Sequence, residues 1–252
     1  MKVLITGASS GIGRDLAREF AKMKYDIILV ARNVEKLEKL KKELTNEYNV
    51  KVKFYSIDLS NKESCIELYE KARDIDILVN NAGLGDFGNF TETDLGKDLT
   101  IIQTNITAMH ILTKLYLKDM KAKNRGKILN VASIAGFLPG PLMATYYASK
   151  NYVVRLSESI REELKKEKSK VKISILCPGP VRTNFNNVAN VKFELSSLSS
   201  EYVAKYAIDK FLKDKFYILP GFTIKITKIF SKIIPTSILS KCTYHMQKRK
   251  EG

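Results

Sequence analysis

The hexapeptide TYYASK, residues 145–150, sets two phenols beside one ammonium: Tyr146, Tyr147 and Lys150. A free tyrosine titrates near ~10, too high to exchange protons readily at neutral pH. A neighbouring ammonium favours the phenolate and draws that value toward the working range. On a helix, Tyr146 and Lys150 are spaced i, i+4 and Tyr147 and Lys150 i, i+3, so either pair shares a face. Helical spacing leaves both open. A different chemistry stands near the start of the chain. In TGASSGIG, residues 6–13, Gly7, Gly11 and Gly13 follow an apolar run and precede a helical pattern. Their spacing departs from the G-x-G-x-x-G fingerprint. The physical use is the same: a tight turn whose backbone N–H groups approach a pyrophosphate at the positive end of a helix.

These residues need a scaffold, and the rest of the chain spells one out. Apolar runs recur at KVLIT (2–6), DIILVA (26–31), VKFYSI (52–57), DILVN (76–80), GKILNVA (126–132), VKISILC (171–177) and FYILP (216–220). Most are β-branched and nearly continuous, as strands buried on both faces are. Amphipathic stretches lie between them, such as GRDLAREFAKM (13–23) and VEKLEKLKKEL (34–44). Alternating strand and helix predicts an α/β fold: a doubly wound sheet of about seven parallel strands with helices on both faces. No linker or composition break divides residues 1–252, so one domain is expected.

Composition narrows the class. Hydrophobic residues at 44% and charged residues at 28% suit a folded domain and exclude disorder. A formal charge of +16 favours contact with something anionic. The chain shows no basic arm, zinc-finger spacing or aromatic RNA-binding signature, so nucleic acid is not expected as a partner. Cys65, Cys177 and Cys242 are odd in number and far apart, and His110 and His245 are the only histidines. No metal-ligand set can be assembled from them, so no metal is expected, and free thiols point to a reducing cytoplasm. The amino terminus carries no signal-peptide pattern, and no apolar run approaches the length of a spanning helix.

TGASSGIG, then NNAG (80–83), then Ser133, then YYASK, in that order, resembles the short-chain dehydrogenase/reductase family over residues 1–185. The resemblance implies a Rossmann-type fold, hydride transfer with a nicotinamide dinucleotide, and a homodimer or homotetramer. It implies cofactor contacts from Gly7, Ser9, Ser10, Gly11, Ile12 and Gly13, from Asp58 and Leu59 at the adenine, and from Asn81, Ala82 and Gly83 at the nicotinamide ribose. Pro178, Gly179, Val181 and Thr183, in CPGPVRTNF (177–185), match positions at the nicotinamide side. Asn80 is expected to steady the sheet instead. The family's Y-x-x-x-K motif matches Tyr146 and Lys150, with Ser133 thirteen positions upstream, and leaves Tyr147 as packing or a pocket wall. Reducing a ketone leaves an alkoxide that needs a proton, so Tyr146 becomes the donor, Lys150 its tuning ammonium and ribose anchor, and Ser133 the carbonyl's hydrogen-bond partner. Asn105 matches the family's helix asparagine, which extends a proton relay from the lysine through water. Asn105, Tyr146 and Lys150 thus count as both catalytic and cofactor-binding. At the end of the second strand a carboxylate would repel a 2′-phosphate; this chain has Ala31 and Arg32 there, so NADP(H) is expected over NAD(H).

Residues 186–252 are expected to form a substrate lid and a basic amphipathic tail. Phe137, Leu138, Leu142, Met143 and Phe185 suggest an apolar pocket for a bulky or acyl-type carbonyl. In the tail, Lys225, Lys228 and Lys232 recur at helical spacing opposite Phe222, Ile226, Ile229, Phe230 and Ile233, and Pro235 splits the pattern into two helices. From 215 to 252 the chain holds eight Lys/Arg and one acid. Such a segment can lie on an anionic membrane through 222–250, on its cytoplasmic face, roof the pocket, or pack on a second subunit. A silent NADP-binding sensor and a membrane-surface scaffold are the competing readings of the whole chain.

Overall fold

The computed structural model describes residues 1–183, 185 and 197–248. Its frame is a seven-stranded parallel sheet. In chain order the elements are β1 (Lys2–Thr6), α1 (Gly11–Lys22), β2 (Asp26–Ala31), α2 (Val34–Tyr48), β3 (Val52–Ser56), α3 (Lys62–Lys71) and β4 (Ile77–Asn80). Then come α4 (Leu95–Ile102), a π-helical segment Gln103–Ala108, α5 (Met109–Ala122), β5 (Lys127–Val131), a 3₁₀ turn Ile134–Phe137, α6 (Ala144–Lys166) and β6 (Lys172–Leu176). The described chain continues through β7 (Val181–Arg182), β8 (Leu198–Ser199), α7 (Ser200–Leu212), β9 (Tyr217–Ile218), α8 (Phe222–Phe230) and α9 (Thr236–Lys248).

Strand order is β3-β2-β1-β4-β5-β6-β9, with β7 and β8 forming a separate two-stranded pair. The chain reverses its winding between β1 and β4, where doubly wound sheets open a crevice at the carboxyl ends of their strands. Side chains alternate across the sheet. Val3 and Ile5 of β1 join the apolar layer under α1, α2 and α7, with Leu16, Phe20, Leu37 and Phe211. Leu4 faces the opposite layer, with Leu68, Leu112, Tyr116 and Val154 of α3, α5 and α6. Each fully buried Leu or Ile contributes roughly 1.5–3 kcal/mol by leaving water, so a one-residue register slip would forfeit many such terms at once.

β1 and β2 coincide with their apolar runs, and the other five strands of the sheet are shorter than theirs: the last run, 216–220, pairs only at Tyr217–Ile218. Helix α2 runs past residue 44 to Tyr48, where Asn49 in the left-handed region (φ 50°) stops it. The tail divides at Pro235 as its pattern anticipates.

Candidate active site

The glycine turn is held from behind. Thr6 Oγ1 accepts from the N–H groups of Asn81 (2.9 Å) and Ala82 (3.0 Å), and Asn81 Nδ2 donates to the carbonyls of Thr6 (2.9 Å) and Gly7 (3.2 Å). These bonds tie the end of β1 to the end of β4 across the winding reversal. A side chain at Gly13 would overlap the Gly7 carbonyl oxygen and the Asn81 amide, so Gly13 serves close packing behind the turn. Gly11 sits at φ 53°, and a Cβ there would also press on Thr183. Asn33, Asn61 and Asp94 cap α2, α3 and α4 with their side chains, but Ser10 makes no such bond at the start of α1. Among the described residues the first-turn N–H groups of α1 thus stand without a cap from Ser10, at the end of the helix that attracts anions.

That helix end opens into a cavity of about 450 Å³. Its lining takes in Gly7, Ser9, Ser10, Gly11, Ile12, Arg32, Asp58, Leu59, Asn81, Ala82, Gly83, Ser133, Tyr146, Lys150, Pro178, Gly179, Val181 and Thr183. Of the catalytic and cofactor-binding residues expected from the sequence, Gly13 and Asn105 lie outside the lining. Arg32 is exposed, and its Nη1 lies 4.0 Å from Asp58 Oδ2. Asp58 accepts from the backbone N–H and hydroxyl of Ser60, both at 2.9 Å. The backbone hydrogen bond chiefly holds its carboxyl below the usual range. An exposed ion pair of this length contributes little, so the guanidinium stays available to another anion. Lys36, one helical turn beyond Arg32, adds a second cation to the same rim. The spacing R-N-V-E-K shows it, but the residue reads equally well as the solvated face of α2.

At the other end stand Ser133, Tyr146, Tyr147 and Lys150. Ser133 caps the 3₁₀ turn, its Oγ accepting from Ala135 N at 3.2 Å, and Ile134 N donates to Pro178 O at 2.8 Å. The carboxyl ends of β5 and β6 therefore hold the serine together. Lys150 is buried, and its Nζ donates to Val131 O at 3.0 Å while lying 5.8 Å from the centre of the Tyr146 ring. Burial draws Lys150 down to about 8, against an opposing pull from Cys177. Burial pushes Tyr146 up to about 12, and the hydrogen bond with Ser133 offsets this only in part. The expected lowering of the phenol by the ammonium is thus not found in the site as it stands. Desolvation wins over a cation that is itself penalised by the same burial. The Tyr146 phenol therefore stays protonated at neutral pH.

Asn105 lies in the π-helical segment, where one widened turn carries it toward the loop after β4. It is buried, 2% exposed, and its Oδ1 accepts from Leu84 N at 2.8 Å. Its Nδ2 donates to Leu84 O and to Ser149 Oγ, both at 2.9 Å. The side chain braces that loop against the start of α6. Asn80 Nδ2 donates to Thr113 Oγ1 and Asn130 Oδ1, both at 2.9 Å, bridging β4 to β5 within the sheet.

The apolar wall differs from expectation in part. Met143 and Phe185 line the cavity, whereas Phe137, Leu138 and Leu142 are buried elsewhere, with Phe137 tilted against Tyr217. The lid segment 186–196 lies outside the described residues. The roof that is described comes from the far end of the chain. Met246 joins the lining, Gln247 Nε2 donates to the Tyr147 hydroxyl, and Ile224 rests on the Gly179 turn. A hundred residues separate Gln247 from Tyr147, and no local pattern announces the pair. The inner face of the tail is thus a roof. Lys228 turns inward as well, its Nζ 3.2 Å from the centre of the Tyr217 ring, and so leaves the outward row of lysines.

A family model described as short chain dehydrogenase matches residues 1–192. The NADP-dependent 3-hydroxy acid dehydrogenase of Schizosaccharomyces pombe is 37% identical over 193 residues, 74% of this chain and 73% of that protein. A very-long-chain 3-oxoacyl-CoA reductase of Vanderwaltozyma polyspora is 37% identical over 186 residues, 68% of this chain but only 53% of the relative's length. Among solved structures, a short-chain dehydrogenase from Sphingobium yanoikuyae in complex with NADPH superposes with a TM-score of 0.85 at 28% identity, covering 92% of this chain and 93% of that one.

Proposed function

The chain belongs to the short-chain dehydrogenase family, and from that premise we propose an NADP(H)-dependent oxidoreductase that interconverts a carbonyl and a secondary alcohol. One observation carries the reading: a single cavity joins the uncapped start of α1, Arg32 and Lys36 to Ser133, Tyr146 and Lys150. A nicotinamide dinucleotide fits that lining. The first turn of α1 would hold the pyrophosphate, Asp58 and Leu59 the adenine, Arg32 and Lys36 a 2′-phosphate, and Lys150 the nicotinamide ribose. The absence of a carboxylate at the end of β2 supports the phosphorylated form. When bound, the cofactor supplies a hydride to the carbonyl carbon or takes one from the alcohol. Tyr146 donates a proton to the carbonyl oxygen as the alcohol forms. Ser133 donates a hydrogen bond to that same oxygen. Lys150, cationic below its depressed pKa, offsets the phenolate left on Tyr146.

Met143, Tyr147, Phe185 and Met246 give the substrate end an apolar wall, which favours a bulky or acyl-type carbonyl. The 3-hydroxy acid and 3-oxoacyl specificities printed in the names of two relatives support the acyl reading. On α4, Leu95, Leu99 and Ile102 form an exposed apolar row at helical spacing, which favours a homodimer or homotetramer. Free thiols at Cys65, Cys177 and Cys242 suit a reducing cytoplasm, and the tail supports contact with a membrane surface. A silent sensor or scaffold has no use for Ser133, Tyr146 and Lys150 converging on one cavity.

The test is a panel of small ketones, steroid ketones and 3-oxoacyl thioesters, followed by loss of reduced-nicotinamide absorbance. Turnover with NADPH ahead of NADH is expected, with Arg32→Asp reversing the order by about 10–100-fold, the worth of a charge-assisted contact. NADPH binding without turnover of any carbonyl would favour the sensor instead.

A further inference from the structure

We infer that the outer face of the C-terminal helix pair docks on an anionic lipid surface. Helices α8 and α9 already have a buried side. Ile224, Thr243 and Gln247 are covered by the domain, and Lys228 packs on Tyr217. A second apolar stripe points away from it. Phe222, Ile226, Ile229 and Phe230 follow i, i+4, i+7, i+8 along α8, and Ile233 in the connecting turn extends them. Phe222 is 75% exposed, Ile233 73% and Ile229 60%, with Ile238 of α9 exposed nearby in sequence. The fold does not need this stripe, and contiguous apolar surface left in water marks a contact site.

The charges around it select the partner. Lys225 and Lys232 flank the stripe on one side of the helix, and Lys241 and Lys248 are exposed on α9. Between residues 215 and 250 there is no aspartate or glutamate. A second copy laid on this face would oppose lysine to lysine, which disfavours self-pairing. A row of large apolar groups bordered by lysines, with no acid among them, matches the boundary between acyl chains and anionic headgroups. Among the described residues no helix is long and apolar enough to cross a membrane, so these helices would lie in the interface plane. Because their inner face carries Met246 and Gln247, the docked surface and the roof of the cavity are the same element.

Flotation of the full chain with vesicles tests this without any substrate, so its result is independent of catalysis. Wild type should float with vesicles of phosphatidylcholine plus phosphatidylglycerol, stay in solution with phosphatidylcholine alone, and be released by salt. Phe230→Asp with Ile233→Asp should abolish flotation, and Lys232→Glu should weaken it about five-fold or more, as expected for roughly 1 kcal/mol per lysine at an anionic surface. Unchanged NADPH binding in each variant shows that the domain remains folded. Failure of wild type to float overturns the inference, as does flotation indifferent to lipid charge or to these substitutions. So does a dimer in sedimentation that dissociates in the Phe230→Asp, Ile233→Asp variant, since the face would then belong to a second copy.

Discussion

The floor and the roof of the cavity are built in different ways. The floor, from the ends of β1, β4, β5 and β6, is pinned by short bonds between strand ends: Asn81 to Thr6, Asn80 to Asn130, Ile134 to Pro178. The roof, α8 and α9, touches the site through Ile224, Met246 and Gln247 and leaves most of its large apolar side chains facing out. Rigid placement is what proton transfer requires, since a displacement of about 1 Å can cost ~10²-fold in rate. On the proposed function, a roof that need only admit and cover a substrate tolerates looser anchoring. The two adjacent tyrosines divide along this line: Tyr146 faces Ser133 of the floor, and the Tyr147 hydroxyl accepts from Gln247 of the roof.

The largest effect should therefore separate those neighbours. Tyr146→Phe removes the phenol hydrogen-bonded with Ser133 and should lower kcat/KM by about 10³-fold, the range of a lost general acid. Tyr147→Phe should cost only a few-fold, because it removes a contact to the roof. Steady-state kinetics on both variants, with folding checked by NADPH binding, decides the matter. Equal losses would mean that floor and roof act as one catalytic unit.

How much of this was legible in the sequence follows from the same division. The floor is written locally. Strand runs, the glycine turn, the one-turn spacing of Tyr146 and Lys150 and the serine upstream are short-range patterns, and the sheet brings their ends together by its winding rule. What a linear reading lacked was the burial of each group. The chemistry of a Tyr–Lys pair anticipates a lowered phenol, whereas desolvation pushes Tyr146 up and Lys150 down. Phe137, Leu138 and Leu142 are as apolar and as buried as Met143, and only the path of the chain puts Met143 on the cavity wall and leaves the other three off it. The roof was legible as two amphipathic helices split at Pro235, with covering the pocket as one of three placements their pattern allowed. Two apolar stripes share those helices, and periodicity does not say which one meets the domain.

A second prediction probes the electrostatics of the floor. Lys150 is held at about 8, below the 10.5 of an ordinary lysine, so the unfolded chain binds more protons than the folded one between those values. Burying its charge destabilises the fold fully below pH 8, and the penalty is relieved as pH rises from 8 toward 10.5. Lys150→Met lacks this penalty. Its stability advantage, or smaller deficit, relative to wild type should therefore shift toward wild type between pH 7 and pH 10, by on the order of 2–3 kcal/mol. Denaturant melts at the two pH values measure it. A difference that stays constant with pH would mean that Lys150 keeps an ordinary titration, and the floor would not then be the desolvated site described.

The smallest effect belongs to the roof. Gln247 is buried, donates to Tyr147, and among the described residues leaves its own Oε1 without a partner. Replacing it with leucine removes one hydrogen bond but also an unsatisfied buried acceptor, and these oppose each other at about 1 kcal/mol apiece. Gln247→Leu should consequently melt close to wild type. Its kinetic signature should be a change in KM of a few-fold with kcat nearly unchanged, because a roof contact shapes the space for the substrate without touching the proton donor. A fall in kcat comparable to that of Tyr146→Phe would place Gln247 in the floor's own network. The distinction between a pinned floor and a lightly held roof would then fail at the residue where the two meet.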